Sequence, residues 1–469
     1  MLSNIINIRF IGLGIILLLT SIFIATNGLI GSFILLLIPP VLYYMIISFR
    51  KPELILYSVV LVAFMVSILS RYIPEIPFGL TVDALLLLLV IVLIFHKRFK
   101  SKSYQRNNVL VWALTAWLIF SVMMLFNPQA LSKAAWIYAN RGLSFYPLLF
   151  VILTLHTFSK EKHLKYFLIL WAVFSVFGTL WGIKQLFFGV SLTEQQWLNN
   201  GAASTHVLFG KLRVFSYFSD SAQFGANQAH TALVFGIMGL YKSGKKMKFL
   251  GLLVAALSLY GMLISGTRGV LAVLAFGGLT YLIMTKNFRV VLLGLMVAAG
   301  CFIFLKYTSI GQSNYQINRM RTAVDFDDPS FKVRQVRINI LSSYLADKPL
   351  GGGIGSAGYW GKRFSPGTFL AKIGTDGHYT RIWMETGKIG LYLYISILLV
   401  IIFYLGKLLW KMKEGKLRQI LLAFYCGFVG LCAASYTNGL ITQFPTGALT
   451  FISLGFIYLG IKKKLSKGF

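Results

Sequence analysis

The sequence predicts an all-α, polytopic integral membrane protein, and three observations predict it. Of 469 residues, 57% are hydrophobic and only 12% charged, with a mean hydropathy of +0.74; a soluble domain carries about a quarter charged residues. The apolar residues fall in runs near the length a helix needs to cross a bilayer, about 20 residues. The 45 Lys and Arg outnumber the 13 Asp and Glu, giving a formal charge of +32, and they collect in short hinges between the runs. That is the signature of cytoplasmic loops facing anionic lipid, so membrane lipid is the expected partner of the charge and nucleic acid is not.

The first apolar run, Phe10 to Ala25, follows Arg9. No small-x-small cleavage site precedes Gly28 and a second run follows at once, so a retained signal anchor is expected. In chain order the candidate spans are 10–26, 28–48, 53–71, 79–96, 109–126, 142–158, 165–187, 221–240, 248–265, 269–285, 289–306, 388–406, 419–437 and 443–461. That makes about 14 transmembrane helices, with a range of about 12–14, since the first pair and 269–285 are short.

Basic residues orient the spans. With a cytoplasmic N-terminus the inner hinges are FRKPE, HKRFKSKSYQRNN, SKEKHLK, YKSGKKMK, TKNFR, GKLLWKMKEGKLRQ and the tail KKKLSKGF; with Arg9 they hold about 26 Lys and Arg. The short loops opposite hold Arg71, Lys133, Arg141 and Arg268. Both termini are then cytoplasmic, and two longer polar intervals, 188–220 and 307–387, fall on the outer face. Four segments follow: N-terminal transmembrane helices (1–187), transmembrane helices with outer-face arginine motifs (188–306), a long extracytoplasmic loop (307–387), and C-terminal helices with a basic tail (388–469). Within the loop, Val333, Val336, Ile340, Leu341 and Tyr344 recur near helical spacing before Pro349, which predicts an amphipathic helix along the membrane surface.

Cys301, Cys426 and Cys432 lie inside apolar runs and read as small core residues. The six histidines show no metal-ligand spacing, so neither a metal nor another cofactor is expected. Gly353-x-Gly355-x-x-Gly358 fits GxGxxG, but no strand precedes it; a tight turn is expected, with an anion-binding nest as the lesser reading. Asp325-Phe326-Asp327 resembles a metal-nucleotide DxD, yet it falls outside, where nucleotide sugars are absent. Asp83, near the outer end of a span, is a thin candidate for proton relay.

What the topology does gather on the outer face is a set of ionisable residues: Arg213, Arg268, Arg334 and Arg337, then Asp376, His378, Arg381 and Glu385. Arginines recessed at a membrane surface are costly unless paired or bound to an anion, and the guanidinium fork suits phosphate. Each also has a structural reading: Arg213 and Arg268 as snorkelling helix-end residues, Arg337 as the wet face of its helix, and Asp376 and His378 as turn residues. Glu385 reads as a helix cap or a partner of loop amides. Taken together they suggest a phosphorylated lipid substrate with one general base nearby.

These residues resemble the superfamily of O-antigen ligases and Wzy-type polysaccharide polymerases. The matches are Arg213 in RVFSYF, Arg268 in SGTRG, Arg334 fifteen residues before Pro349 in DKPLGGGIG, and Glu385, Gly387 and Gly390 in METGKIGL. They cover roughly 205–400. In ligases a histidine stands nine residues before the Glu that matches Glu385; here that position is Asp376, and His378 is displaced by two. The segment therefore looks like the Asp-bearing form of repeat-unit polymerases.

The resemblance implies a GT-C-like fold and a metal-independent glycosyltransferase of the cytoplasmic membrane. Its donor would be an oligosaccharide on undecaprenyl pyrophosphate, with a flippase and a chain-length regulator as possible partners. It implies Arg213, Arg268, Arg334 and Arg337 on the pyrophosphate and Asp376 or His378 as base. Arg381, Glu385 and Tyr379 would support them, and Tyr359, Trp360 and Tyr379 are candidates for holding sugar. Polymerisation of a surface polysaccharide is the expected reaction. Transfer to lipid A core or protein, as by a ligase, and transport of lipid-linked sugar are the alternatives.

Overall fold

The computed structural model describes residues 2–96, 108–208, 210–241, 244–324, 329–375 and 377–462. The hinge 97–107, Asp325-Phe326-Asp327, Asp376 and the tail from 463 onward lie outside the described residues. About 79% of the chain is helical, as expected of an all-α integral membrane protein. The chain divides into two compact units, Met1–Ile55 and Leu56–Phe469.

The first unit is dominated by α1 (Leu2–Arg50), which is broken at Gly28, where φ is 58° and ψ is −140°. The break falls at the boundary expected between the first two apolar runs. The boundary falls in the first turn of α2 (Glu53–Tyr72); the second unit takes in the rest of that helix, then α3 (Gly79–Phe95) and α4 (Val109–Met123). Then α5 (Lys133–Asn140) runs through a π-helical turn, Arg141–Phe145, into α6 (Tyr146–Thr157). After α7 (Glu161–Phe187), the first long polar interval carries the short α8 (Leu192–Trp197) and a small hairpin of β1 (Val207–Leu208) and β2 (Lys211–Leu212). Next come α9 (Ser221–Gly239), α10 (Lys245–Ile264), α11 (Leu271–Met284) and α12 (Phe288–Tyr307). The second polar interval forms α13 (Tyr315–Arg321), α14 (Pro329–Tyr344), α15 (Gly358–Phe364) and α16 (Phe369–Lys372). The chain closes with α17 (His378–Lys411), α18 (Lys416–Ala434) and α19 (Thr446–Ile461).

Among the described residues eight helices are long and apolar enough to cross a membrane, and four shorter apolar helices accompany them. The central helix α9 is neither. It is almost wholly buried and carries Gln223, Asn227, Gln228, His230 and Thr231 inward. Several of these polar groups find partners on α7: Trp171 Nε1 donates to Thr231 Oγ1 at 2.8 Å, and Gln228 Nε2 to Ser175 O at 2.9 Å. Such pairing is what makes polar side chains tolerable in a membrane core.

The amphipathic stretch folds as a helix, and its apolar residues divide. Leu341 is buried in a small core with Ala357, Leu370 and Met384, and Tyr344 packs against that core. Val333, Val336 and Ile340 stay exposed. One boundary differs from the hydropathy reading: helix α17 starts at His378, ten residues before the expected span, and passes through Gly387 with φ 67°. Those first residues are too polar for hydropathy to register. They are held in place by contacts made across the fold.

Candidate functional site

The bend SGTRG between α10 and α11 is the hub of the site. Thr267 is buried, and its hydroxyl accepts a hydrogen bond from Arg213 Nη2 at 2.9 Å while lying 3.1 Å from Ser221 O at the start of α9. Arg268 Nη1 donates to Thr322 Oγ1 at 2.7 Å. Arg319, on α13, donates from Nε to Gly266 O at 2.8 Å. Three guanidinium groups from distant parts of the chain are thus fastened to, or extend from, three consecutive residues of one turn. Burial, and next the neighbouring Arg319 guanidinium, hold Arg213 below the usual arginine value, with Asp220 opposing. Its Nε is buried without a hydrogen-bond partner.

The segment that positions Arg213 is locked from beneath. Arg71, near the end of α2, is buried and donates from Nη2 to Phe218 O at 2.6 Å and from Nη1 to Ser216 O at 3.3 Å. Its guanidinium also lies over the rings of Trp197 (4.3 Å) and Phe215 (4.6 Å). Gln185 accepts from Ser216 N at 2.7 Å and donates to the buried Glu194 at 2.8 Å. Ser216 has φ 53°, a left-handed conformation that is costly outside glycine and persists where surroundings impose it. Arg71 counts in the sequence only as one of the few basic residues of the outer loops. Its role as a clamp is not legible there, because its partners are backbone carbonyls.

The arginine turn and the end of the long polar interval meet on a third segment, Ser435–Asn438. A methyl group at Gly269 would stand 2.0 Å from Thr437 Oγ1, and one at Gly377 would stand 2.1 Å from Tyr436 O. His378 N donates to Ser435 O at 2.8 Å. Gly269, next to Arg268, and the neighbours of Asp376 therefore rest on the same few residues. Arg337 joins them from α14, its Nη1 2.8 Å from where a methyl group on Gly374 would be. Arg334 lies one turn earlier on that helix, with Nε buried and without a hydrogen-bond partner. A cleft of about 420 Å³ opens between β2 and the start of α13, lined by residues that include Lys211, Leu212, Val214, Ser313, Tyr315 and Gln316; Arg213 is not part of its lining.

Other candidates turn inward. His378 is buried, and its Nε2 is 3.0 Å from Tyr394 Oη. Tyr379 Oη donates to Cys432 O at 2.7 Å. Glu385 is buried; it accepts from Arg381 Nε at 2.9 Å and from the backbone amides of Gly355 and Ala357. The anion held by the glycine turn is thus the protein's own carboxylate. Trp360 stacks on Tyr138 with centroids 5.0 Å apart, and Tyr359 stands edge-on to it, largely exposed. Asp83 is not a lone acid: it is ion-paired with Arg141 and accepts from Tyr146 Oη at 2.5 Å.

Residues 253–395 match the protein-family model described as O-antigen ligase. The matched stretch runs from within α10 through the SGTRG bend, α13, α14 and the glycine turn to the first half of α17. The match is consistent with the O-antigen ligase and Wzy-type superfamily that the sequence resembles. No curated protein matches the chain.

Proposed function

We propose that this membrane protein is a polysaccharide polymerase acting on the outer face of a bacterial cytoplasmic membrane. It moves the growing glycan from undecaprenyl pyrophosphate to the terminal hydroxyl of a repeat unit carried on a second undecaprenyl pyrophosphate. The observation that carries this reading is that Arg213 and Arg268 meet at one turn, SGTRG, whose Gly269 packs on the same segment, Ser435–Asn438, as Gly377 and His378 beside Asp376. In the reaction the bond from the anomeric carbon to the diphosphate oxygen breaks, and its electron pair leaves with the diphosphate. The acceptor oxygen bonds to that carbon and gives its proton to a base. Negative charge grows on the leaving group, so guanidinium groups placed there stabilise the transition state more than the ground state. Positive charge from arginine does the work a divalent cation does elsewhere.

Asp376 is the better base. His378 is buried and spends Nε2 on Tyr394, whereas Asp376 occupies the position where ligases carry their histidine. Arg334 and Arg337 serve the diphosphate or the acceptor from α14. The description of the matching family favours a second reading, in which the same chemistry delivers the glycan to lipid A core or protein. The aspartate at the ligase histidine's position supports polymerisation over this.

Reconstitution in liposomes with synthetic undecaprenyl-pyrophosphate repeat unit, in the presence of EDTA, separates the readings by electrophoresis. A ladder of lengths is the expected product. Transfer only to an added lipid A core or protein acceptor means a ligase, and flipping without transfer means a transporter; either result overturns the proposal.

A further inference from the structure

We propose that the cleft between β2 and α13 is a glycan subsite that takes an acidic sugar of the lipid-linked repeat unit, with Lys211 on its carboxylate; this rests on the reading above. The cleft, about 420 Å³, falls in the size range of small-molecule sites, about 300–1,000 Å³. Its lining sets the class of ligand. Ser313, Asn314, Tyr315 and Gln316 come from the start of α13 and the stretch before it; Lys211 and Gln185 come from elsewhere, and three aliphatic residues complete the lining. An acyl chain here would leave the polar groups unpaired. No carboxylate lines the cleft among the described residues, so it does not suit a cation. Hydroxyl and amide groups set beside aliphatic ones suit a sugar, whose hydroxyl edges need hydrogen bonds and whose C–H faces need apolar contact.

The side chains divide into walls and contacts. Gln185 is committed: its Oε1 accepts from Ser216 N at 2.7 Å and its Nε2 donates to Glu194 Oε1 at 2.8 Å, which makes it a fixed wall. Asn314 Oδ1 is spent on the amides of Gln316 and Ile317, which leaves its amide nitrogen to offer. The hydroxyl oxygen of Tyr315 is buried, so its ring is what a ligand can meet. Lys211 is exposed, and its Nζ stands 5.1 Å from the centroid of that ring. A ring face steadies an ammonium group and leaves N–H donors for an anion. As the one charged side chain of the lining, Lys211 makes the cleft selective for a sugar carboxylate over a hydroxymethyl group. The two elements that form the cleft also grip the SGTRG bend. Two residues beyond Lys211, Arg213 reaches Thr267; one turn beyond Tyr315, on the same face of α13, Arg319 reaches Gly266 O. A sugar in the cleft is thus held next to the bend without touching Arg213.

The test is a saturation-transfer NMR titration of the full-length protein in phosphatidylcholine nanodiscs. The probes are the methyl glycosides of glucuronic and galacturonic acid, those of glucose and galactose, and sodium acetate. At least one uronide is expected to bind wild type about 5-fold more tightly than its neutral counterpart, the worth of one partly exposed ion pair. Lys211→Gln should remove that preference and keep binding of the neutral glycoside, while Lys211→Arg should retain the preference. Tyr315→Leu should weaken both members of the pair, and Lys362→Gln, at an exposed position on α15, should bind as wild type does. Equal binding of uronides and neutral glycosides, a preference that survives Lys211→Gln, or wild-type binding by Tyr315→Leu overturns the inference. So does acetate binding as tightly as a uronide, which would mean an anion site only. Uronide selectivity through Lys211 in a protein that makes no polymer would leave the subsite in place and overturn the polymerase reading alone. Polymer made without any such selectivity would overturn the subsite alone.

Discussion

The hydroxyl of Thr267 meets Arg213 on one side and the first turn of α9 on the other, and on this scale the site is built from groups that do not look catalytic. Arg71 sits under the same segment. A buried guanidinium costs several kcal/mol unless its hydrogen bonds are met, and here two carbonyls and two ring faces offset that cost. Arg213 and Arg268 stand out in the sequence because an arginine recessed at a membrane surface is costly unless paired or bound to an anion. Arg71 and Arg319 are not, because arginine spacing gives no sign of which carbonyl each will reach. In the proposed reaction the roles of Asp376 and His378 separate on the burial of the histidine. An imidazole bonded to Tyr394 in the protein interior is part of the packing, while a base must reach the acceptor hydroxyl. Asp376→Asn is expected to lower turnover roughly 100- to 10,000-fold, the usual worth of a general base, with the thermal midpoint unchanged. His378→Phe should lower the thermal midpoint and leave most of the turnover. Full activity in Asp376→Asn would exclude it as the base.

Among the elements, the glycine turn and the start of α17 form one device. Glu385 binds the amides of Gly355 and Ala357, Gly352 N donates to Met384 O at 2.9 Å, and Asn127 Nδ2 donates to Leu350 O at 2.9 Å. At Gly387 the helix opens to φ 67°, and a methyl group there would lie 1.9 Å from Pro349 O. The family-like pattern E-x-G at 385–387 is therefore structural: the carboxylate fixes the turn and the glycine lets Pro349 approach. In the sequence the two halves read as a glycine-rich turn and a span entrance, with nothing to say that one is the ligand of the other. Gly387→Ala is expected to cost roughly 2–3 kcal/mol, near the upper end for single substitutions, and to lower yield, thermal midpoint and polymer together. Arg268→Ala should behave differently, losing roughly 100- to 1,000-fold in turnover at normal yield. If Gly387→Ala insertion and melting match wild type, the device is not what holds the end of the long interval.

Across the whole molecule, the order of the helices follows from hydropathy and length, since a bilayer sets how long an apolar run must be. A boundary fails where polar residues are helical, as at His378; the helix expected at 221–240 is found as α9, Ser221–Gly239, with an inward polar face that hydropathy does not register. Convergence of the site is a different matter: Arg213, Arg268, the neighbours of Asp376 and Ser435–Asn438 come from four segments that only the charge alternation assigns to one side. The contacts among them fit that assignment, because loops on opposite faces of a bilayer cannot touch. The positive-inside argument puts that side outside the cell membrane. Gly367 and Gly415 suit the test, as each has open space where a side chain would begin. Cys426 and Cys432 are buried, and Cys301 is exposed on α12, so the background is Cys301→Ala. In intact cells a membrane-impermeant maleimide should label Gly367→Cys, and Gly415→Cys should react only after the membrane is opened. The reverse pattern would put the arginine turn in the cytoplasm. A diphosphate-linked glycan on the outer leaflet could not then be its substrate, whatever the geometry of the turn.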